Sequence, residues 1–294
     1  LGRFLSVLFA QEMAGDKRIV RSETLKQMFT PQLIEEDEGF GLGFHVGQYR
    51  EHAKISHSGA VYGFSSSLVG LHQDKLGVVV LANTDIVGGA VRRVSDTALD
   101  LMLEAKLGEK IPPKKETVKL DAPAMAPYLG DYESESYWAH VEISEGGLEM
   151  DISGQPVKLV CTAPDEFLGT GRWVSETAVD FKKDDSGQVT AFSALEKDFT
   201  RVDPDKIAEV PAAWKRLLGS YGPRFIPLVV SVKHGHLYAM TENMVDYRLT
   251  PMNRTDFNMQ PGMYLGEELV FQVDDDGRAR SAVLANMTLK RIDP

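Results

Sequence analysis

The sequence predicts an α+β region over residues 1–110, an antiparallel sheet with helices, followed by two tandem antiparallel β-barrel domains. Three observations carry this. Helical and strand-like apolar spacings succeed one another up to about residue 107. A Pro- and Lys-rich stretch with no apolar period, GEKIPPKKETVKLDAPA, follows at 108–124. The remainder repeats itself at an offset of 89 to 90 residues.

The elements of the first region are read in order. Leu1, Phe4, Leu5, Leu8 and Phe9 recur at helical spacing and predict a helix over 1–14 that stops near Gly15. Ser22 is the expected N-cap of a second helix, SETLKQMF, closed by Pro31. In GFGLGFHVGQYR, Phe40, Leu42, Phe44 and Val46 alternate as one face of a strand. HAKISHSG, YGFSSSLVGLH and LGVVVLANT are three further strands separated by Gly-containing breaks. Helical spacing returns over 88–107 through Val91, Val94, Ala98, Leu101 and Met102. The expectation is four antiparallel strands with a helix laid on one face. A linker at 111–124 separates this region from the barrels.

The repeat supports two units, 125–203 and 211–294. YLGDY at 128–132 matches LLGSY at 217–221, and the turn in VEISEGGLEM matches that in VVSVKHGHLYAM, both at an offset of 89. Phe167 matches Phe257, VDFKKDDSG matches LVFQVDDDG, and FTRV matches LKRI, all at 90. One inserted residue accounts for the drift. Short strands with frequent turn signals suit a small closed antiparallel barrel.

Composition narrows the function classes. The chain has 294 residues and a net charge of −11, against the basic face that phosphate backbones require. No run of Lys and Arg reverses this locally, so no nucleic-acid partner is expected. No stretch approaches the roughly 20 apolar residues of a membrane span. Cys161, in the apolar run LVC, reads as a buried, inert thiol that leaves the compartment open between bacterial cytoplasm and periplasm or exterior. A start inside an amphipathic helix, with no leader, reads as an interior point of a longer gene product.

Several motifs fall away on inspection. Gly41-Leu42-Gly43 lacks the third Gly and the following helix of a dinucleotide fingerprint. His234-Gly235-His236 aligns with Glu145-Gly146-Gly147 of the first repeat, which makes it a hairpin turn and not a metal pair. Asp274-Asp275-Asp276-Gly277 lacks the ligand spacing of a calcium loop and aligns with the turn Asp184-Asp185-Ser186-Gly187. Glu35-Glu36-Asp37-Glu38 reads as a solvated loop. No cofactor or metal is called for.

His57-Ser58-Gly59 is the constellation that remains. An imidazole on a strand carries charge only when protonated, a hydroxyl beside it can hydrogen-bond, and a glycine lets another backbone approach. Its setting is the series helix, SETLKQMFTPQ, GFGLGF, HSG, YGFSSS, LGVVVLANTD, helix. Over residues 1–107 this order resembles the C-terminal lobe of the serine β-lactamase and penicillin-binding-protein family, in which a strand at the active site carries Lys-Thr/Ser-Gly or, in some branches, His-x-Gly. The resemblance implies that His57 stabilises negative charge, Ser58 hydrogen-bonds substrate or general base, Gly59 admits the substrate backbone, and Ala60 gives its N–H to the oxyanion hole. Two barrels after such a lobe resemble the three-domain D-aminopeptidase-like branch, whose barrels are described as lipocalin-like. That implies a small amide, peptide or ester as substrate.

The departure from the family is equally clear. No Ser is followed three places on by Lys, and no Tyr two places on by Asn. The family's nucleophile and its proton-handling partners are therefore missing, and the chain alone is expected to be inactive. Three readings stand side by side: a serine hydrolase acting on amides or peptides with its nucleophile supplied upstream, an esterase of the same superfamily, and a non-catalytic barrel protein that binds an apolar ligand. An open sheet edge would also favour association between copies.

Overall fold

Short strands joined by tight turns dominate the computed structural model, which describes all residues except 11, 12, 15, 16, 19, 33–37, 263, 293 and 294, and only the backbone at 13, 14, 17 and 18. The chain divides into two compact units: Leu1–Lys114 with Arg172–Ser175, and Lys115–Gly171 with Glu176–Pro294.

The first unit contains helices α1 (Gly2–Phe9) and α2 (Ser22–Met28), with a small pair β1 (Met13–Ala14) and β2 (Lys17–Arg18) between them. A five-stranded antiparallel sheet follows in the order β3 (Gly39–Phe40), β4 (His45–Tyr49), β5 (His52–Val61), β6 (Phe64–Leu71), β7 (Leu76–Ala82), and then α3 (Gly88–Leu107). Leu5, Leu8 and Leu25 of the first two helices pack with Phe44 and Ile55. Leu99 and Leu103 of α3 pack with Val69, Leu71 and Leu76. Cross-strand pairing puts Ile55 opposite Gly70 and Ser56 opposite Val69, and neighbouring residues of a strand face opposite ways. The sheet therefore carries helices on both faces, where the sequence suggested one.

Four other expectations are corrected. The first helix ends at Phe9 and not near Gly15, because the following Ala-Gln-Glu adds no large apolar residue to its stripe. Ser22 is the first residue of α2 and Arg21 is its N-cap. GFGLGFHVGQYR is a hairpin, not one strand: Phe40 pairs with His45 and Gly39 with Val46. Gly43 turns the chain at φ +82°, and a side chain on Gly41 would strike the Met28 carbonyl. Phe40 and Leu42 are consequently exposed while Phe44 is buried. Last, α3 has the expected bounds but a different buried row, Val91, Ser95, Leu99 and Leu103, and Val94 and Leu101 face solvent. The sequence misleads here because a serine sits in that row. The Ser95 hydroxyl shares a 3.0 Å hydrogen bond with that of Ser67 and is satisfied where it is.

The second unit consists of two closed eight-stranded antiparallel barrels. The first contains β8 (Gly130–Glu133), β9 (Trp138–Ser144), β10 (Gly147–Ile152), β11 (Gln155–Ala163), β12 (Glu166–Gly171), β13 (Thr177–Lys183), β14 (Val189–Ala194) and β15 (Lys197–Arg201). The second contains β16 (Gly219–Tyr221), β17 (Leu228–Lys233), β18 (His236–Met240), β19 (Asp246–Pro251), β20 (Asp256–Met259), β21 (Glu268–Val273), β22 (Ala279–Leu284) and β23 (Met287–Ile292). Each strand pairs with its neighbours in sequence, and the last closes on the first: Arg201 opposite Tyr132, Arg291 opposite Tyr221. Closure removes the free edges that a small sheet would otherwise expose.

The repeat in sequence is a repeat in structure. Both barrels bulge just after the matched Phe, at Lys182/Lys183 and at Gln272/Val273. In both, an aspartate holds the next turn by accepting backbone N–H bonds, Asp184 from Ser186 and Gln188, Asp274 from Asp276 and Arg278. Glu145-Gly146 and His234-Gly235 adopt the same left-handed turn, with φ of 50° and 79° in one and 46° and 83° in the other. The first barrel is filled by aromatic side chains: Phe192 stacks on Phe199 at 4.5 Å between centroids, and Phe167, Phe181 and Tyr128 pack edge to face or tilted around them. Cys161 is a buried free thiol, and burial pushes its pKa up.

Candidate active site

The two-residue hairpin between β5 and β6 positions the His57-Ser58-Gly59 segment. Tyr62 and Gly63 make the turn, Gly63 at φ +83°, and its N–H donates to Asp85 Oδ1 at 2.5 Å. Val61 opposite Phe64 closes the hairpin. In a two-residue hairpin the closing pair exchanges both backbone hydrogen bonds, and such pairs alternate along the ladder. His57, Gly59 and Val61 thus direct their N–H and C=O groups to β6. Ser58 and Ala60 direct theirs the other way.

What lies on that other side decides the character of the segment. Pairing of β4 with β5 ends at His45 opposite Ser56. From His57 onward, no described strand covers the outer edge of β5. The Ala60 N–H and the Ser58 C=O are therefore paired with no described strand, beside an exposed stretch, His57 through Val61. The Ser58 carbonyl lies 2.6 Å from His57 Nδ1. A carbonyl can only accept, so Nδ1 bears the proton, and Nε2 of a neutral ring is then an acceptor.

The side chains divide between the two faces of the sheet. His57 stands opposite Leu68, on the face of α1 and α2, and Ser58 opposite Ser67, on the face of α3. The Gly59 position is tight: a Cβ there would sit 2.5 Å from Ser66 Oγ, a hydroxyl that can rotate away. Around the tip, Val61, Tyr62, Phe64 and Leu81 are all more than half exposed. An open backbone edge flanked by apolar side chains, one imidazole and one hydroxyl can take an extended, weakly polar ligand and stabilise a negative oxygen at Ala60 N–H.

The same unit holds Arg172–Ser175 against the start of α3. Gly89 N–H donates to the Arg172 carbonyl at 2.9 Å, and Arg93 donates to the carbonyls of Val174 and Ser175 at 3.0 and 2.8 Å. Gly89 has no side chain because Val174 backbone would lie 2.4 Å from its Cβ.

Two other polar clusters belong to the second unit. His234 lies in the expected turn and His236 follows it, and they meet a carboxylate: His234 Nδ1 lies 3.2 Å from Glu133 Oε1, to which the Tyr238 hydroxyl donates at 2.8 Å. Arg248 donates to His236 at 2.9 Å. Burial first, and then the Arg248 charge, lower the His236 pKa. Among the described residues no group of His, Cys, Asp and Glu is arranged to hold a metal ion.

The second cluster overturns the expectation that no cations gather locally. Lys215, Arg216, Arg278, Arg280 and Arg291 line one concavity at the end of the second barrel, with Asp274 and Asp276 among them. Linear sequence scatters them from 215 to 291, and closure of the barrel gathers them. Of the acidic run at 35–38, only Glu38 is among the described residues; it accepts from the Gln48 N–H at 3.1 Å.

Comparison with known proteins adds little. No protein-family model and no curated protein matches the chain. Among solved structures, SurE with D-Leu is 21% identical over 62% of this chain and 44% of that chain, with a TM-score of 0.30. A second SurE structure is 19% identical over 62% and 42%, with a TM-score of 0.28. The chain spans less than half the length of these structures, and likeness at this level carries no argument.

Proposed function

We propose that residues 1–110 are the part of a β-lactamase or penicillin-binding-type serine hydrolase that receives the substrate and stabilises its oxyanion, the nucleophile lying in another segment of the protein. The observation that carries this reading is the Ala60 N–H, one residue past His57-Ser58-Gly59, aimed from an uncovered strand edge. An oxyanion hole needs a fixed backbone donor in that position relative to the motif, and one such donor is worth about 3–4 kcal/mol in a transition state.

An extended amide or ester substrate lies along the outer edge of β5, accepting from Ala60 N–H and passing over Gly59, where no side chain obstructs it. His57, on an exposed stretch of the strand, stabilises developing negative charge on the substrate. Ser58 stands on the opposite face. The attacking Ser and the Lys that assists it come from a Ser-x-x-Lys segment that these residues do not contain. Amides, peptides, D-amino-acid amides and esters all present the acyl group that this arrangement handles. The barrel-ligand reading is the weaker one, since aromatic side chains occupy the inside of the first barrel.

Labelling with a fluorophosphonate and with a fluorescent penicillin tests the proposal. This chain should take no covalent label. The chain joined to the coding sequence upstream of its first codon should be labelled on a Ser-x-x-Lys serine. Label on Ser58 or any other serine of this chain would refute the assignment.

A further inference from the structure

The basic concavity of the second barrel has no counterpart in the first, although the two barrels share strand order, bulge and turn. That makes the first barrel an internal control. At the established offsets, Lys215 and Arg216 correspond to Ala126 and Pro127, and Arg278 and Arg280 to Gln188 and Thr190. Only Arg291 has a basic equivalent, Arg201.

The shared residues have structural duties. Arg291 donates to the Tyr221 hydroxyl at 3.1 Å and to the Leu218 carbonyl at 2.6 Å, as Arg201 donates to the Tyr132 hydroxyl and the Pro127 carbonyl. Asp274 holds its turn as Asp184 does. The four cations peculiar to the second barrel are all exposed, and the first barrel closes without them. Five cations face Asp274 and Asp276, and Glu209 lies 4.0 Å from Lys215, which leaves a local excess of two positive charges on a chain of net charge −11. One carboxylate, Asp274, is already engaged by backbone N–H groups and by Arg280 at 2.8 Å. Like charges gathered in one concavity repel one another, and a barrel of this topology does not require them.

We propose that this concavity binds a phosphate-bearing anion, with Arg216, Arg278, Arg280 and Lys215 as its recognition groups. Forked guanidiniums suit multiply charged oxyanions, which accept paired N–H bonds. The anion is either a free phosphorylated small molecule or the headgroup of an anionic phospholipid. Both present the same oxygens.

Calorimetric titration of the whole chain with inorganic pyrophosphate at low salt, together with sedimentation on phosphatidylglycerol against phosphatidylcholine vesicles, tests this. At least one anionic probe should bind, and the double variant R216Q/R280Q should weaken that binding by about tenfold or more. Pyrophosphate binding alone identifies a free anion, and vesicle binding alone identifies a headgroup; both support the site. The melting temperature of the double variant without anion should match that of the parent, which separates loss of binding from loss of fold. Absence of binding to either probe, or equal binding by the double variant, overturns the proposal.

Discussion

Arg201 donates to the Tyr132 hydroxyl at 2.7 Å, and that hydroxyl donates in turn to the Tyr128 carbonyl at 2.8 Å. The motif recurs in the second barrel with Arg291, Tyr221 and Leu217. In each barrel it ties the last strand to the first, at the seam where closure occurs. Tyr132→Phe should destabilise the first barrel by about 1–2 kcal/mol, the range for losing a buried hydrogen bond and stranding its partner. Arg201→Ala should cost a similar amount, since it removes the donor to the buried Tyr132 hydroxyl while water can replace it at the exposed Pro127 carbonyl. Urea denaturation followed by near-ultraviolet circular dichroism measures both; a neutral Arg201→Ala would show the seam to be decorative.

His52 of the first unit and His236 of the second make opposite demands on pH, while burial lowers the pKa of His72 in the first unit and gives it the same sign as His236. Burial disfavours the charged form of His52, but hydrogen bonds to Asp74 at 2.8 Å and Glu109 at 2.9 Å together outweigh it, and its pKa rises above the ordinary 6.5. Its contribution to stability is complete below 6.5 and is lost as pH rises through the raised value. His236 is the reverse case. Its lowered pKa means that stability is lost as pH falls from 6.5 through the lowered value. His52 should therefore lose its contribution to the first unit on the alkaline side, and His236 its contribution to the second on the acid side. Scanning calorimetry of His52→Gln and His236→Gln from about pH 5 to 8 should abolish one trend each. The same slope in variant and parent would contradict the assignment.

Gly89 is expected to tolerate no side chain. Gly89→Ala puts a methyl into the Val174 backbone, an overpacking worth about 1–3 kcal/mol, and should release 172–175 from α3. Limited trypsinolysis after Arg172 should accelerate in the variant. Unchanged cleavage would mean that the segment is held by other contacts.

Gly59→Ala is expected to fold with little loss of stability, within about 1 kcal/mol, because the atom it meets is the rotatable Ser66 hydroxyl. In the joined enzyme it should nevertheless slow acylation, since the added methyl stands where substrate passes. Thermal unfolding beside acylation kinetics separates these effects; a variant that unfolds and one that acylates normally would each count against this role for Gly59.

Much of this architecture was legible in sequence for specific reasons. The repeat could be read because barrel seams and turns reuse the same residues: a Tyr, an Arg, an Asp-led turn. The bounds of α3 could be read because Gly108, in the left-handed region, ends it. The buried row of α3 could not, because Ser95 looks polar until Ser67 is found beside it. The β3–β4 hairpin hid inside an alternation, and Gly43 was the signal that it turns. The segment around His57 was legible as a motif, but its open edge depends on where β4 stops, a matter of pairing and not of residue type. The basic concavity was missed because barrel closure assembles it. Comparing the two repeats position by position for charge would have revealed it.

The decisive measurement is the single-turnover rate of acylation of the joined protein, with a D-amino-acid amide, an aryl ester and a penicillin, across the pH range in which imidazoles titrate, for parent and His57→Ala. The account predicts that His57→Ala acylates more slowly with at least one substrate. Parent-like rates for His57→Ala with all three substrates, at every pH, would contradict it.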